Sequence, residues 1–364
     1  MNVDGIETFE PSRLLIARNR SGLTQRALAE LAGVSVRALK GYEAGQICPS
    51  RDALDSIARA LRYPPTFFEG NPIEALCLEA ASFRALSKAS ATVRNRAVAS
   101  GTFAVSLLYP FLSERFELPP LDLPDFRNET PTGAAESLRQ HWGLGQRPIP
   151  HLVSQLESRG IRVFSLSEDC DAIDAFSLWH DGTPFVFLTT RKTAERSIFD
   201  AAHELGHLVL HRHGVPQGHD AEAAADQFAS CFLLPEPAIR AEAPRTPTVT
   251  AVAQLKGRWR ASAAAIARRL HDLGLMTSYH YTLFNKELSR RGRANEPAPL
   301  QRQTSVVLAK ALAALAEEGL DLRAIAQALD LPVSEVRALT FGLKPVPGSG
   351  QSARSREPKL RLVQ

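Results

Sequence analysis

The chain has 364 residues, 44% hydrophobic and 23% charged, a composition ordinary for folded proteins and a length beyond one typical domain. Its 43 Lys and Arg against 39 Asp and Glu leave a formal charge of +4, which permits a nucleic-acid partner without demanding one. Cys48, Cys77, Cys170 and Cys231 are too scattered for a disulfide scaffold or a cysteine-based zinc module, and no leader-like start or ~20-residue apolar run is present. A cytoplasmic protein without a membrane partner is expected.

Residues 11–69 read as a set of short helices. Thr24 is a natural N-cap for QRALAELAG, which Gly33 closes, and Ser35 caps VRALKGYEAG. The next segment, RDALDSIARALRY, has apolar residues at 54, 57, 58, 60 and 61, the stripe of an amphipathic helix. Two helices joined by the tight Ala32-Gly33-Val34 turn meet the needs of a helix-turn-helix, whose second helix enters the major groove. Gln25, Ser35, Val36, Arg37 and Lys40 are the expected DNA-facing positions, with Leu28, Val34 and Leu39 holding the helices together. Between Arg13 and Glu43 six residues are basic (13, 18, 20, 26, 37, 40) and two acidic (30, 43), so positive charge gathers where a duplex would lie.

Residues 71–118 are Ala-rich and helical in pattern, and ELPPLDLPDF reads as an exposed, proline-punctuated linker. From about residue 130, two helical segments (TGAAESLRQHWGL, HLVSQLESRG) precede three strand-like runs, IRVFSL, AFSLWHD and TPFVFLTT, with an Asp181-Gly182 turn between the last two. Helical patterns follow over 192–213, 222–234 and SAAAIARRLHDLG. The region 286–364 adds two or three short helices and a tail expected to be disordered. Within it, LDLRAIAQALDLPVSEVRAL has the outline of a second helix-turn-helix, against which stands the plainer reading of a packing helix pair. The expected organisation is an α+β multidomain chain: an all-α helix-turn-helix over 1–70, a helical linker over 71–128, an α+β unit over 129–285 and a helical C-terminal region over 286–364.

The chemistry is concentrated in FDAAHELGHLVLH. Residues four apart share a helix face, so His203 and His207 can grip one cation, while Glu204 can reach a water beside it and act as general base. The apolar flanks (Phe199, Ala201, Ala202, Leu205, Leu208, Val209, Leu210) mark a buried helix, where uncommitted histidines are uncommon. Two third ligands compete. His213 has the spacing of H-E-x-x-H-x-x-G-x-x-H, but that pattern needs a glycine where Leu210 stands. The following segment EAAADQFASCFLLP offers Glu222, with Asp226 one turn on, where it can accept the other ring N–H of a ligand histidine. The missing glycine favours Glu222. His211, one turn after His207, reads as a capping or bracing histidine, and Cys231 as core.

These residues carry a family resemblance. SGLTQRALAELAGVSVRALKGYEAGQICPS resembles an XRE-type helix-turn-helix, and HELGHLVLH with EAAADQFASCFLLP resembles the ImmA/IrrE metallopeptidases, as do the stretches SFRALSKASATVRNRA and LKGRWRASAAAIARRLHDLGL. The resemblance spans about residues 11–300. It implies a gluzincin-like metallopeptidase domain with Zn2+ held by His203, His207 and Glu222, Glu204 as general base, and a regulator that cleaves a repressor protein to relieve repression. The expected partners are a double-stranded DNA operator and that repressor, with the regulator itself a homodimer. There are two departures: Ala224 stands where the family shows an acidic residue, and Gly41 sits within the recognition helix. The competing function is a DNA-binding repressor or antitoxin-like regulator whose metal domain senses or stabilises without proteolysis.

Overall fold

The computed structural model describes residues 8–76, 89–170, 172–212, 219–291, 298–345 and 361–362. The N-terminal unit comprises helices α1 (Pro11–Ser21), α2 (Gln25–Ala32), α3 (Val36–Glu43) and α4 (Arg51–Leu61). Each later start is capped by a hydroxyl: Thr24 accepts from the Ala27 N–H at 3.1 Å, Ser35 from Ala38 at 3.0 Å and Ser50 from Ala53 at 3.3 Å. Gly33 ends α2 in the left-handed region at φ 67°, which a residue with a Cβ resists. Leu14, Leu28, Leu39, Leu54 and Ile57 close the small core. The glycine inside α3 has a local reason. A Cβ on Gly41 would lie 2.7 Å from Cγ1 of Ile47, because the chain after α3 folds back over it.

Helix α5 (Ala91–Phe103) widens into one π turn over Ala104–Leu108 before α6 (Tyr109–Ser113) and the short strand β1 (Phe116–Glu117). The expected helix before α5 falls largely on residues 77–88, outside the described ones. The linker that follows is docked rather than exposed. Asp122 takes an N–H···O bond to Arg159, accepts from the Trp142 indole at 3.0 Å on its carbonyl, and pairs with His141 and Arg159 through its carboxylate. A Cβ on Gly160 would strike Leu121 and Pro120, so the glycine lets the linker pass close. Proline punctuation shows where the chain cannot be helical, not whether it is covered.

Helices α7 (Pro131–His141) and α8 (Leu152–Ser158) lead to strands β2 (Arg162–Leu166), β3 (Ala175–His180) and β4 (Thr183–Thr189). The order is β2-β4-β3, with β2 parallel and β3 antiparallel to β4. Asp181 (φ 46°) and Gly182 (φ 74°) make the two-residue β3–β4 turn, the left-handed pair such hairpins require. Strand alternation gives the sheet two apolar faces. Phe164, Leu166, Phe176, Leu178, Phe185 and Phe187 join one core with α1–α6 and the C-terminal helices, while Val163, Ala175, Val186 and Leu188 join a second. That second core is built with α9 (Ala194–Leu210), α10 (His219–Leu233), α11 (Glu236–Glu242), α12 (Val249–Trp259), α13 (Ala263–Asp272) and α14 (Ser278–Arg291).

The C-terminal region supplies α15 (Val306–Glu317), α16 (Leu322–Ala328) and α17 (Val333–Leu339). Its helix-turn-helix outline is a packing pair. Val336 and Leu339 of α17 are fully buried, and the carboxylate of Glu335 pairs with Arg20 of α1. Most of the expected disordered tail lies outside the described residues, but Arg361–Leu362 forms a strand, β5, antiparallel to β1.

Arg20 links three distant parts of the chain. Its guanidinium, 6% exposed, bonds Glu335 at 2.8 Å and Asp169, before β3, at 2.8 Å. Removing one partner of a buried ion pair leaves an uncompensated charge, which costs several kcal/mol. Arg20→Met, which keeps the apolar stem, is expected to destabilise the fold by about 3 kcal/mol. Thermal melts of the two proteins check this, and an unchanged midpoint would refute it.

Candidate metal centre

Helix α9 is sandwiched between the sheet and α10, so nearly every residue from Ala201 to Leu210 is buried. Packing against α10 is unusually close at Gly206, where an added Cβ would stand 3.3 Å from the Ala225 Cα and 3.0 Å from Phe228. Ala225 and Ala229 keep the facing surface of α10 low. The two helices run antiparallel, so the first turns of α10 lie beside His203 and His207.

The sequence-predicted residues meet here. The Nε2 atoms of His203 and His207 stand 3.0 Å apart, and Glu222 places one carboxylate oxygen 3.5 Å from the first and the other 3.4 Å from the second. Two imidazole nitrogens and a carboxylate are the donor set zinc takes, and ligands at 2.0–2.1 Å on a tetrahedron are separated by about 3.3 Å. The three side chains therefore fit one small divalent cation, and they are the group among the described residues whose ligand atoms converge within 4.8 Å. Cys231 is not among them; its thiol lies 3.5 Å from the Thr132 hydroxyl, on the side of α10 facing α7. His213 lies outside the described residues.

Each histidine is braced through its other nitrogen. Nδ1 of His203 lies 2.8 Å from Asp226 Oδ1, and Nδ1 of His207 lies 3.1 Å from Nδ1 of His211, the residue that caps α9. Burial pushes His211 down to about 4, so it is neutral and can accept the His207 Nδ1–H, freeing the His207 Nε2 lone pair. For His203 burial acts in the opposite direction to its neighbours, yet the Asp226 and Glu222 carboxylates win and raise it to about 10. Burial likewise opposes ionisation of Glu222, but the adjoining His203 and His207 imidazoles hold its carboxyl well below the usual range.

Glu204 is 3% exposed, and its Oε2 accepts a hydrogen bond from the Ser177 hydroxyl at 2.6 Å. Ser177 belongs to β3, and sequence reasoning missed it. The only available signal was a polar residue at an inward position of AFSLWH. Trp179, two residues along, donates from its indole to the Leu208 carbonyl at 3.3 Å. Asp200, one turn before Glu204, is 5% exposed and pushed up to about 7 by burial, with one oxygen 2.9 Å from Arg196.

At the N-terminal unit, Ser35, Val36, Arg37 and Lys40 are exposed along α3, as a major-groove reader requires. Gln25 stands at the first position of α2. It is partly buried, and its amide donates to Glu43 at 2.6 Å, inside a network in which Arg18 also clamps Glu43. Gln25 thus ties the start of α2 to the end of α3 and fixes the angle at which α3 is presented.

Residues 14–68 match the family described as helix-turn-helix, and residues 156–271 match the IrrE N-terminal-like domain. No curated protein matches the chain significantly. No helix among the described residues is long and apolar enough to cross a membrane. The first match covers α1–α4 and the second runs from α8 through α13, enclosing the sheet, α9 and α10. The chain joins an XRE-type helix-turn-helix DNA-binding domain to an IrrE N-terminal-like metallopeptidase domain.

Proposed function

We propose that this protein is a transcriptional regulator that binds an operator through α3 and acts as a zinc-dependent endopeptidase on a repressor protein. The observation that carries the reading is the convergence of His203, His207 and Glu222 beside the buried carboxylate of Glu204. A homodimer would present two copies of α3 to a palindromic operator.

His203 Nε2, His207 Nε2 and Glu222 would hold the metal. Zinc bound there would acidify a water and polarise the scissile carbonyl. Asp226 and His211 engage the two imidazoles at Nδ1, so Nε2 is the nitrogen each would turn to the metal. Glu204 takes the proton of the attacking water and returns it to the departing amine, the work of a general base turned general acid.

A second reading, a regulator whose metal domain only senses or stabilises, is favoured by the single core that joins α1–α4 to the sheet face opposite α9. The two readings separate on Glu204→Gln. Repressors encoded beside this gene are the substrates to incubate with zinc-loaded protein. The variant is expected to cleave about 10²–10⁴-fold more slowly with unchanged zinc content and operator binding. Equal cleavage by both proteins would refute the endopeptidase reading, and absence of cleavage by either supports the second.

Metal binding itself carries a pH signature. At neutral pH the raised His203 is protonated in the metal-free chain, whereas Glu222 is already ionised. Coordination must expel the His203 proton, so affinity rises with pH below about 10. Between pH 6 and 8 the Kd is expected to fall about tenfold per pH unit, and calorimetry in buffers of different ionisation enthalpy should register one proton released. A pH-independent Kd would contradict the assignment.

A further inference from the structure

We infer that Ser177 is the positioning residue for Glu204: its hydroxyl holds one carboxylate oxygen of the general base so that the other is the oxygen that exchanges the proton. The inference rests on the endopeptidase reading above and extends it to a residue outside the H-E-x-x-H helix.

The geometry begins with the match between strand and helix. Two residues of a strand advance about 6.8 Å and four residues of a helix about 6.0 Å, so a strand crossing under a helix can meet it at i, i+2 against j, j+4. β3 does this against α9. Ser177 meets Glu204, and Trp179 meets Leu208 with an indole N–H···O bond of 3.3 Å. The Trp179 bond pins the register, so Ser177 cannot slide away from Glu204 without breaking a second contact. Ala175, the preceding inward residue, is 2% exposed and completes the seam.

The chemistry of the pair is unusual for its place. Inward positions of a sheet under a buried helix are normally apolar, and a buried hydroxyl without a partner is costly. Ser177 is 2% exposed, yet it spends its O–H on Glu204, bonding Oε2 at 2.6 Å with the backbone carbonyl of the same residue at 3.3 Å. A hydroxyl donor to a carboxylate at that distance is a strong, charge-assisted bond. It removes rotational freedom about the last bond of the side chain, which in glutamate is otherwise soft. Oε2 is committed to Ser177, so the proton taken from water goes to Oε1 and leaves from Oε1 to the amine. The hydroxyl neither gains nor loses a proton in this cycle. An alanine at 177 would leave the carboxylate free to rotate and its buried oxygen unpaired.

The pair can be tested apart from turnover. In ¹³C-glutamate-labelled, metal-free protein, the infrared difference between wild type and Glu204→Gln isolates the Glu204 carboxylate bands. Ser177→Ala is expected to shift the antisymmetric stretch, and Ser177→Thr, which keeps the hydroxyl, to restore it. On the repressor cleaved in the Glu204→Gln comparison, Ser177→Ala should lower kcat about 10- to 100-fold with KM changed less than about twofold, and threonine should recover most of the loss. Thermal melts and zinc content guard against simple misfolding, and a folded Ser177→Thr keeps the test open if the alanine variant fails. An unshifted Glu204 band in Ser177→Ala would overturn the inference, as would wild-type kcat in that variant. If no repressor is cut even by wild type, the endopeptidase reading fails while the infrared shift still decides whether Ser177 holds Glu204.

Discussion

The close packing of α9 against α10 is the constraint on which the metal centre depends. Three ligands from two helices can share a cation only if the helices approach within side-chain reach. Gly206 makes that possible by presenting no Cβ to Ala225 and Phe228. The alanines of α10 do the same from the other side, and the antiparallel course sets Glu222 opposite His207 and Asp226 opposite His203. Burial lowers His203, but the hydrogen bonds to Asp226 and Glu222 that this packing brings within reach outweigh it and raise the group.

The sheet gives this centre a second neighbour. One of its faces meets α9 and delivers Ser177 to Glu204, while the other carries stacked phenylalanines, Phe176 and Phe187 with ring centroids 4.5 Å apart, into the core shared with the DNA-binding helices. Arg20 adds a polar tie across the same boundary through Asp169 and Glu335. The DNA-binding and peptidase-like domains are thus parts of one packed body, joined through a sheet only three strands wide. A change in the packing of one face of such a sheet bears directly on the other.

What the sequence revealed follows from the range of the interactions involved. The helix spacing that sets His203 over His207, the Glu222–Asp226 turn, the Thr24 and Ser35 caps and the Asp181-Gly182 turn all act within four residues, and each is visible in the local pattern. The docked linker was not legible, because Asp122 finds its partners at Trp142 and Arg159. Ser177 was not legible for the same reason; a serine in a strand reads as a small filler until the helix 27 residues on is laid over it. The bond from Gln25 to Glu43 was likewise not legible, because its two ends lie 18 residues apart. Helix α12 escaped because VTAVAQLKGRW mixes β-branched and polar residues without a sharp stripe. The C-terminal helix pair shows the converse: its pattern copies a DNA reader, while the burial of Val336 and Leu339 commits it to packing.

The central claim, a cation held by residues of α9 and α10, is tested most directly by anomalous diffraction at the zinc edge from crystals of zinc-loaded protein. The account predicts one strong peak per chain, in contact with His203 Nε2, His207 Nε2 and a Glu222 oxygen, and its loss in Glu222→Ala. A peak that excludes Glu222, or that takes His213 in its place, would contradict it.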